Sequence, residues 1–501
     1  MDRGPHSEDQ KGEDMKKYWL LTIPGAFVLA ASPATAIELK DAVQAALNTN
    51  PEIRQAVANK NATQFERKQG EGLWLPRISV EASAGIRKLS NPTRRDINTS
   101  RETLYPLEAS VTADQLLFDM GGRQAEIRRQ ASRTDAAAAR IEERSEYVAL
   151  NVARAYIDYL LQQRLVAIAD DNATFHQKLA GDLREGVSKG SISIADQQQA
   201  EERLQSARAR LTEAREDLDT AGIQFQTLAG IPVDSVSMPP DLSQCLPSTL
   251  QDAEIAARAN NPRVQESIAD LSTAREVTKA ARSEMGPRVN LEATARIGDD
   301  IDGFKGRTSD LLGRVVMRWL VFNGNTNINN VREQQARADE AHARLFEQTR
   351  RAEEDARSAW SRLTNQSRLV TELETQSRVS DDLLLSYREQ FNVGRRSLLD
   401  VLDAQNTRYN VQAQAETARL AKLYAQYRLL ASTNRLIECL GVNMPSAAWS
   451  DERTRYRVNP IPASDLEENS LVAPAMGPPS SAMGPPAPAE AAPAPAPTGG
   501  R

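Results

Sequence analysis

The chain has 501 residues, enough for two to four soluble domains, yet only 40% are apolar and 5% are aromatic. Its mean hydropathy of -0.52 is low for thick globular cores. The 62 basic and 68 acidic residues nearly balance, so the excess of clustered Lys and Arg typical of nucleic-acid-binding proteins is missing. No zinc-ligand spacing, phosphate loop or nucleophile motif occurs in the sequence, and we expect neither an enzyme nor a bound cofactor or metal.

The N-terminus has the pattern of a secretory signal. Two lysines precede an apolar stretch from Tyr18 to Ala31, and Ala34-Thr35-Ala36 follows as a small-x-small cleavage site. We assign residues 1–36 to a signal peptide, with Met15 as an alternative start because residues 1–14 are polar and acidic. An uncleaved anchor is the other interpretation, although the stretch is shorter than the ~20 residues that a spanning helix needs.

The remainder of the chain contains an internal duplication. Three segments of the first half recur in the second, and the first two pairs share an offset of 211 residues. The pairs are Leu39 to Pro51 with Leu250 to Pro262, Pro76 to Ala82 with Pro287 to Ala293, and Leu117-Phe118-Asp119 with Val321-Phe322-Asn323. Similarity at this spacing predicts two copies of one architectural unit, which we place at residues 37–242 and 243–444.

Each unit is predicted to begin with two helices joined at an Asn-Pro and to continue into two strands. The second helix ends before Pro76 in one unit and before Pro287 in the other. Four segments of alternating apolar and polar residues follow, with apolar positions at Ile78 to Ile86, Leu107 to Ala113, Val289 to Ile297 and Val315 to Val321. This alternation fits transmembrane strands and also a soluble sheet with one solvated face. Two observations favour transmembrane strands: the chain carries an export signal, and its helices have too few apolar residues to cover a soluble sheet.

Two long segments without proline predict very long helices. They run from Arg123 to Gly186 and from Asn325 to Asn392, and each would extend about 100 Å if helical. Apolar residues recur at spacings of three and four, with many alanines between them, which is typical of helices packed side by side as in coiled coils. Each segment turns back at a glycine, and the predicted return helices are residues 195–228 and 398–440.

Pro and Ala dominate residues 445–501, and we predict a disordered tail that takes no part in the fold.

Four membrane strands cannot close a barrel, and lipid does not tolerate open strand edges. Three chains would supply twelve strands and leave room for a lumen, which the long hairpins would continue as a tube. The sequence therefore predicts a mainly α protein with membrane β-strands, whose trimer forms a 12-stranded β-barrel on an α-helical tunnel.

Over residues 37–443 the chain resembles the TolC-like outer-membrane efflux proteins. The resemblance rests on the duplication, on the Asn-Pro elements, and on Phe391 to Gln405 and Lys189 to Asp196 as two periplasmic hairpin tips. It implies a homotrimeric exit duct in the outer membrane, with its tunnel in the periplasm. The implied partners are a periplasmic membrane-fusion adaptor and an inner-membrane ABC or RND-type transporter, and the type I secretion branch is favoured. An exported periplasmic coiled-coil or adaptor protein is the alternative.

The resemblance also implies a gate at the periplasmic tip. Asp196 and Arg396 match positions that tie the coils shut, and Phe391 stands where the family's better-known gate has a Tyr hydroxyl. Asp400 and Asp403 match a ring of lumen carboxylates, and their i, i+3 spacing places them on one helix face. Three chains would then present six carboxylates that favour cations. The alternatives are a helix cap for Asp196 and ordinary surface charges for the two others.

The two cysteines lie near the ends of the two repeats: Cys245 just after residue 242 and Cys439 just before residue 444. A disulfide between them is plausible in an oxidising periplasm, and two free thiols are the alternative.

Overall fold

The computed structural model describes residues 36–466, so nearly all of the predicted signal peptide and the end of the predicted tail lie outside the described residues. The first unit contains helices α1 (Leu39–Thr49), α2 (Pro51–Gly72), α3 (Pro92–Asp96), α4 (Gly122–Ser188) and α5 (Ile194–Ala229), and strands β1 (Arg77–Ala84), β2 (Arg87–Lys88), β3 (Thr103–Leu104) and β4 (Leu107–Phe118). The second contains α6 (Leu250–Asn260), α7 (Pro262–Ser283), β5 (Arg288–Asp299), β6 (Arg307–Arg318), α8 (Thr326–Asn392), α9 (Leu398–Ser432) and α10 (Leu436–Cys439), and α11 (Glu452–Arg455) follows.

The same order of elements occurs twice in the fold: two helices, a strand pair and a long helical hairpin. The long helices α4 and α8 have 67 residues each, which corresponds to about 100 Å. Each Asn-Pro joins two helices because the Asn side chain caps the second helix while Pro occupies its first turn. Asn50 Oδ1 accepts from the Glu52 N–H at 2.8 Å, and Asn261 Oδ1 accepts from the Arg263 N–H at 3.0 Å.

The four main strands form one antiparallel sheet in the order β1-β4-β5-β6. The predicted fourth strand is displaced in the structure: β6 begins at Arg307 and ends at Arg318, before Trp319 and Val321. Its bounds follow from pairing, because β5 and β6 pair along their whole lengths, from Arg288 opposite Arg318 to Asp299 opposite Arg307. The sequence before Val315 lacks clear alternation, so the pattern overlapped only the last four residues of this strand, Val315 to Arg318.

The main core lies where α1, α4, α5, α9 and α10 meet. Tyr156, Phe225 and Tyr427 are fully buried there. The Tyr156 hydroxyl donates to the Ser237 carbonyl at 2.8 Å, and the Tyr427 hydroxyl donates to the Pro240 carbonyl at 2.6 Å. The segment after α5, which leads from the first unit to the second, is therefore fixed against α4 of the first unit and α9 of the second. No helix in residues 36–466 is both long enough and apolar enough to span a bilayer.

The beginning of the predicted disordered tail is folded, which corrects that prediction. Residues 445–466, which we call the C-terminal strap, lie along the helices of both units. Lys60 of α2, only 5% exposed, donates to the carbonyls of Ala447 and Trp449, both at 2.7 Å. Burial lowers the pKa of Lys60, and the nearby carboxylates of Asp135 and Glu452 oppose that shift.

A buried carboxylate on α4 holds the middle of the strap. Asp135 is 8% exposed and accepts from the Ser450 hydroxyl at 2.5 Å. It also accepts from the backbone N–H groups of Glu452 and Arg453 and from Arg453 Nε, each at 3.0 Å. The sequence prediction failed because the composition of residues 445–501 was averaged, although Pro and Ala dominate only after the strap.

The strap ends against the second unit. Arg275 of α7 forms an ion pair with Asp465 at 2.7 Å, and the His342 ring of α8 hydrogen-bonds to the Asp465 carbonyl oxygen at 2.6 Å. The strap therefore connects α2 and α4 of the first unit to α7 and α8 of the second.

Candidate functional site

The sheet has one apolar and one polar face, as its alternation predicts. On the apolar face, Val80 of β1 is 74% exposed and Leu311 of β6 is 81% exposed. Residues of the same face on β4 and β5 include Val111 and Leu291. No element of the described chain covers this face, so it is suited to contact lipid.

The opposite face carries paired charges. Glu292 of β5 forms ion pairs with Arg314 at 2.8 Å and Arg318 at 2.6 Å, both on β6. Arg296, four residues further along β5 on the same face, pairs with Asp310 of β6 at 3.4 Å and with Glu108 of β4 at 3.8 Å. These pairs make the face hydrophilic while nearly cancelling its charge, which suits the wall of a water-filled passage.

The two outer strands of the sheet have open edges. In the described single chain, β1 pairs only with β4, and β6 pairs only with β5. Their free backbone N–H and C=O groups need partners in a membrane, where water cannot supply them.

The two helical hairpins turn by the same local device. Gly190 and Gly394 have a φ of +73°, the left-handed conformation that glycine adopts without strain. The return helices then begin at a capping serine. Ser193 Oγ donates to Asp196 Oδ2 at 2.7 Å, and Ser397 Oγ donates to Asp400 Oδ2 at 2.8 Å. Asp196 and Asp400 thus occupy equivalent cap positions, which the sequence interpretation considered only for Asp196.

Arg396 is held within its own hairpin. Its guanidinium lies over the Tyr387 ring at 4.2 Å, Nε donates to Gln390 Oε1 at 3.0 Å, and an Nη atom lies 3.8 Å from Asp400 Oδ2. Across residues 36–466 no ion pair joins Arg396 to Asp196. The predicted pair between them remains a prediction about the assembled protein.

Phe391 contributes to the tip by packing. Its half-buried ring contacts two apolar clusters, one containing Leu183 and Leu402 and the other containing Leu384 and Val401. It therefore connects the two hairpins without the hydrogen bond that a tyrosine hydroxyl could make. Asp403 is exposed on α9, between these buried neighbours.

Sequence reasoning missed the polar links that join the two hairpins above the tip. Arg408 of α9 forms ion pairs with Asp171 of α4 at 2.8 Å and with Asp381 of α8 at 2.6 Å. The buried Gln405 amide donates to Asn172 Oδ1 of α4 at 2.8 Å. The sequence does contain one signal of this link, because Gln405 is a polar residue directly after the buried Ala404 in the apolar stripe of α9. Its partner could not be identified from the sequence, since it lies 233 residues earlier.

The structure brings the two cysteines together as free thiols. Both side chains are half-buried. The pKa of Cys439 is raised to about 12, chiefly by burial and secondarily by the neighbouring Cys245 thiol. The disulfide between them remains a prediction.

An open sheet with one lipid-facing and one hydrophilic face, attached to helical hairpins about 100 Å long, defines an outer-membrane channel with a periplasmic tunnel. The profile of the outer membrane efflux protein family matches residues 42–231 and 256–435. The chain belongs to this family, which confirms the resemblance and the predicted location. It also excludes the alternative of a periplasmic adaptor or coiled-coil protein.

Individual relatives agree over nearly the whole chain. The alkaline protease secretion protein AprF of Pseudomonas aeruginosa is 22% identical over 475 residues, covering 90% of this chain and 97% of AprF. The proteases secretion protein PrtF of Dickeya chrysanthemi is 22% identical over 452 residues, covering 87% and 95%. The Campylobacter jejuni CmeC outer membrane channel superposes with a TM-score of 0.70 at 15% identity, covering 85% of this chain and 90% of CmeC. The two relatives are secretion proteins by name, in agreement with the favoured branch.

Proposed function

We propose that three copies of this chain form one exit duct. The open edges of β1 and β6 carry this proposal, because pairing β1 of one chain with β6 of the next satisfies both. Three copies give twelve strands, enough to enclose a lumen rather than a core of side chains. The polar face with Glu292 and Arg296 then lines the lumen, and the helical hairpins continue it into the periplasm.

The hairpin tips form the closed end of this duct. Three copies of Asp400 and Asp403 place six carboxylates around the narrowest part, which favours cations over anions. Because Asp400 Oδ2 is held by Ser397, Asp403 is the more available carboxylate for a passing ion. Arg396 and Phe391 hold the closed tip through the contacts described above, and opening separates the second hairpin from the first.

We further propose that the duct serves type I secretion, receiving an unfolded protein from an inner-membrane ABC transporter through a periplasmic adaptor. The names of AprF and PrtF, which are similar over 90% and 87% of this chain, support this choice. Passage of small molecules from an RND-type transporter is the competing outcome.

The test is deletion of the gene, followed by parallel measurement of secreted proteins and of susceptibility to toxic compounds. We expect specific proteins to disappear from the culture medium and to return on complementation. Unchanged secretion with increased susceptibility would reject the type I assignment. An unchanged phenotype in both assays, with the protein found only in the soluble periplasm, would reject the duct itself.

A further inference from the structure

The lipid-facing surface of the first strand pair continues beyond the sheet. The short pair β2 and β3 keeps the register of β1 and β4, because Ala84 lies opposite Leu107 and Lys88 lies opposite Thr103. The Gly85 N–H donates to the Pro106 carbonyl at 2.9 Å between the two pairs, so the ladder is continuous. Alternation therefore carries the apolar face outward, and the successive residue pairs on it are Ile78 and Ala113, Val80 and Val111, Ala82 and Ala109, Ala84 and Leu107, Ile86 and Tyr105, and Lys88 and Thr103.

The order of residues along this ladder matches the layers of a bilayer. Ile78 and Lys88 are ten residues apart, which is about 33 Å along a strand. A strand tilted by about 40° then rises about 25 Å, the height of the apolar band of a membrane barrel. Ile86 and Tyr105, both exposed, lie at the edge of that band, and Lys88 lies in the headgroup layer.

The outer end of this strand pair, together with its loop, is basic. Residues 85–106 contain five basic and two acidic side chains. One of the basic residues, Arg94, is 1% exposed and is used internally, since its guanidinium donates to the Gly303 carbonyl at 2.5 Å and so ties this loop to the β5–β6 loop. One of the acidic residues, Glu102, is paired with Lys305 at 3.3 Å.

Four of the five basic side chains in residues 85–106 are exposed. One of them, Arg87, lies on the opposite face of the ladder from Lys88 and donates to the Ile301 carbonyl at 3.3 Å. Lys88, Arg95 and Arg101 have no ion-pair partner within residues 36–466. Three chains would repeat them around the same end of the barrel. We call this set the basic rim.

We propose that the basic rim binds the phosphate groups of a phosphorylated glycolipid in the outer leaflet of the outer membrane. Lys and Arg at a membrane surface extend their charged ends to anionic headgroups while their stems contact the apolar layer. A lipid fits better than free phosphate, because Ile86 and Tyr105 lie directly below Lys88 and would contact the acyl chains of the same molecule.

Native mass spectrometry of the purified full-length trimer with diphosphoryl lipid A tests this proposal. Each cation at an anionic lipid surface strengthens binding about fivefold, so Lys88→Gln, Arg95→Gln and Arg101→Gln together are expected to weaken binding about 100-fold. Removing the phosphates from the lipid should weaken binding to the wild-type trimer by a similar factor. Binding that is equally tight for the triple variant, or for dephosphorylated lipid A, would overturn the proposal.

A charge-matched control uses three exposed arginines of the helices. Arg54→Gln, Arg332→Gln and Arg368→Gln remove the same charge far from the rim and should leave lipid binding unchanged. Displacement of the lipid by inorganic phosphate at equal phosphate concentration would also contradict a lipid site. The inference rests on the proposed duct, so the conductance of each trimer is recorded in parallel. A conducting trimer without lipid preference rejects only the basic rim, whereas a preparation that does not conduct rejects the duct.

Discussion

Replacement of Asp135 by asparagine should release the C-terminal strap. The carboxylate is almost fully buried and accepts four hydrogen bonds from the strap, one of them from the Arg453 guanidinium. Asp135→Asn keeps the shape, removes the charge that pairs with Arg453, and turns an amide NH₂ toward N–H donors. Breaking one side of a buried ion pair costs about 3–5 kcal/mol. The open state of the strap should therefore become at least about 100-fold more populated.

Trypsin provides the assay, because the strap contains Arg453, Arg455 and Arg457. When opening and closing are fast relative to cleavage, the cleavage rate follows the open population, so it should rise by at least about 100-fold. The matched control is Asp451→Asn on the exposed neighbouring carboxylate, which should cleave at the wild-type rate. Equal rates for the Asp135 and Asp451 variants would refute the assigned role of the buried carboxylate.

Four further predictions concern the tip, the helices and the cysteines. Arg396→Ser removes the contacts with Tyr387 and should raise the conductance of the trimer in planar bilayers; an unchanged conductance would count against its gate role. Asp403→Asn removes three exposed carboxylates from the assembled tip and should lower the cation-to-anion permeability ratio, whereas an unaltered reversal potential would place this residue outside the lumen. Burial, aided by two nearby arginines, lowers the pKa of His176 to about 4 from its ordinary 6.5, so this group should destabilise the fold as pH falls from 6.5 to 4. His176→Leu should remove up to about 2 kcal/mol of that loss, allowing for partial solvent screening. Urea unfolding of both proteins is measured between pH 4 and pH 6.5, and stabilities that fall in parallel would show that protonation of His176 does not destabilise the fold. Mass spectrometry without reduction should find Cys245 and Cys439 joined in protein from the periplasm, and alkylation of both thiols would disprove the disulfide.

The elements that depend on local pattern were predictable from the sequence. The proline-free segments located α4 and α8 to within two residues at either end, because long helices need only local periodicity and the absence of breakers. The alternation located β1 and β5 in the same way, and it located the start of β4, which continues past the predicted Ala113 to Phe118. The start of β6 at Arg307 depends on pairing with β5, a contact between distant residues that no local pattern encodes.

The hairpin tips likewise combine features that the local sequence encodes with features that depend on contacts between distant residues. Glycine and serine at the two turns are readable as local signals, and the equivalence of Ser193 and Ser397 could have identified Asp400 as a cap residue. The link from Arg408 to Asp171 could not be read, because the side chains lie on different hairpins and meet only through their packing. The strap was missed because its anchor, Asp135, lies on α4, more than 300 residues before the segment it holds.

The central claim is that three chains enclose one conducting pathway, and single-channel recording of the purified trimer tests it most directly. Subunit count is established by native mass spectrometry of the same preparation, and the trimer is inserted into a planar bilayer. The account predicts a single conductance unit for each inserted trimer, because each chain supplies only the four strands β1, β4, β5 and β6 of a shared barrel. Three equal and independent conductance steps per trimer, or conduction by a monomer, would contradict it.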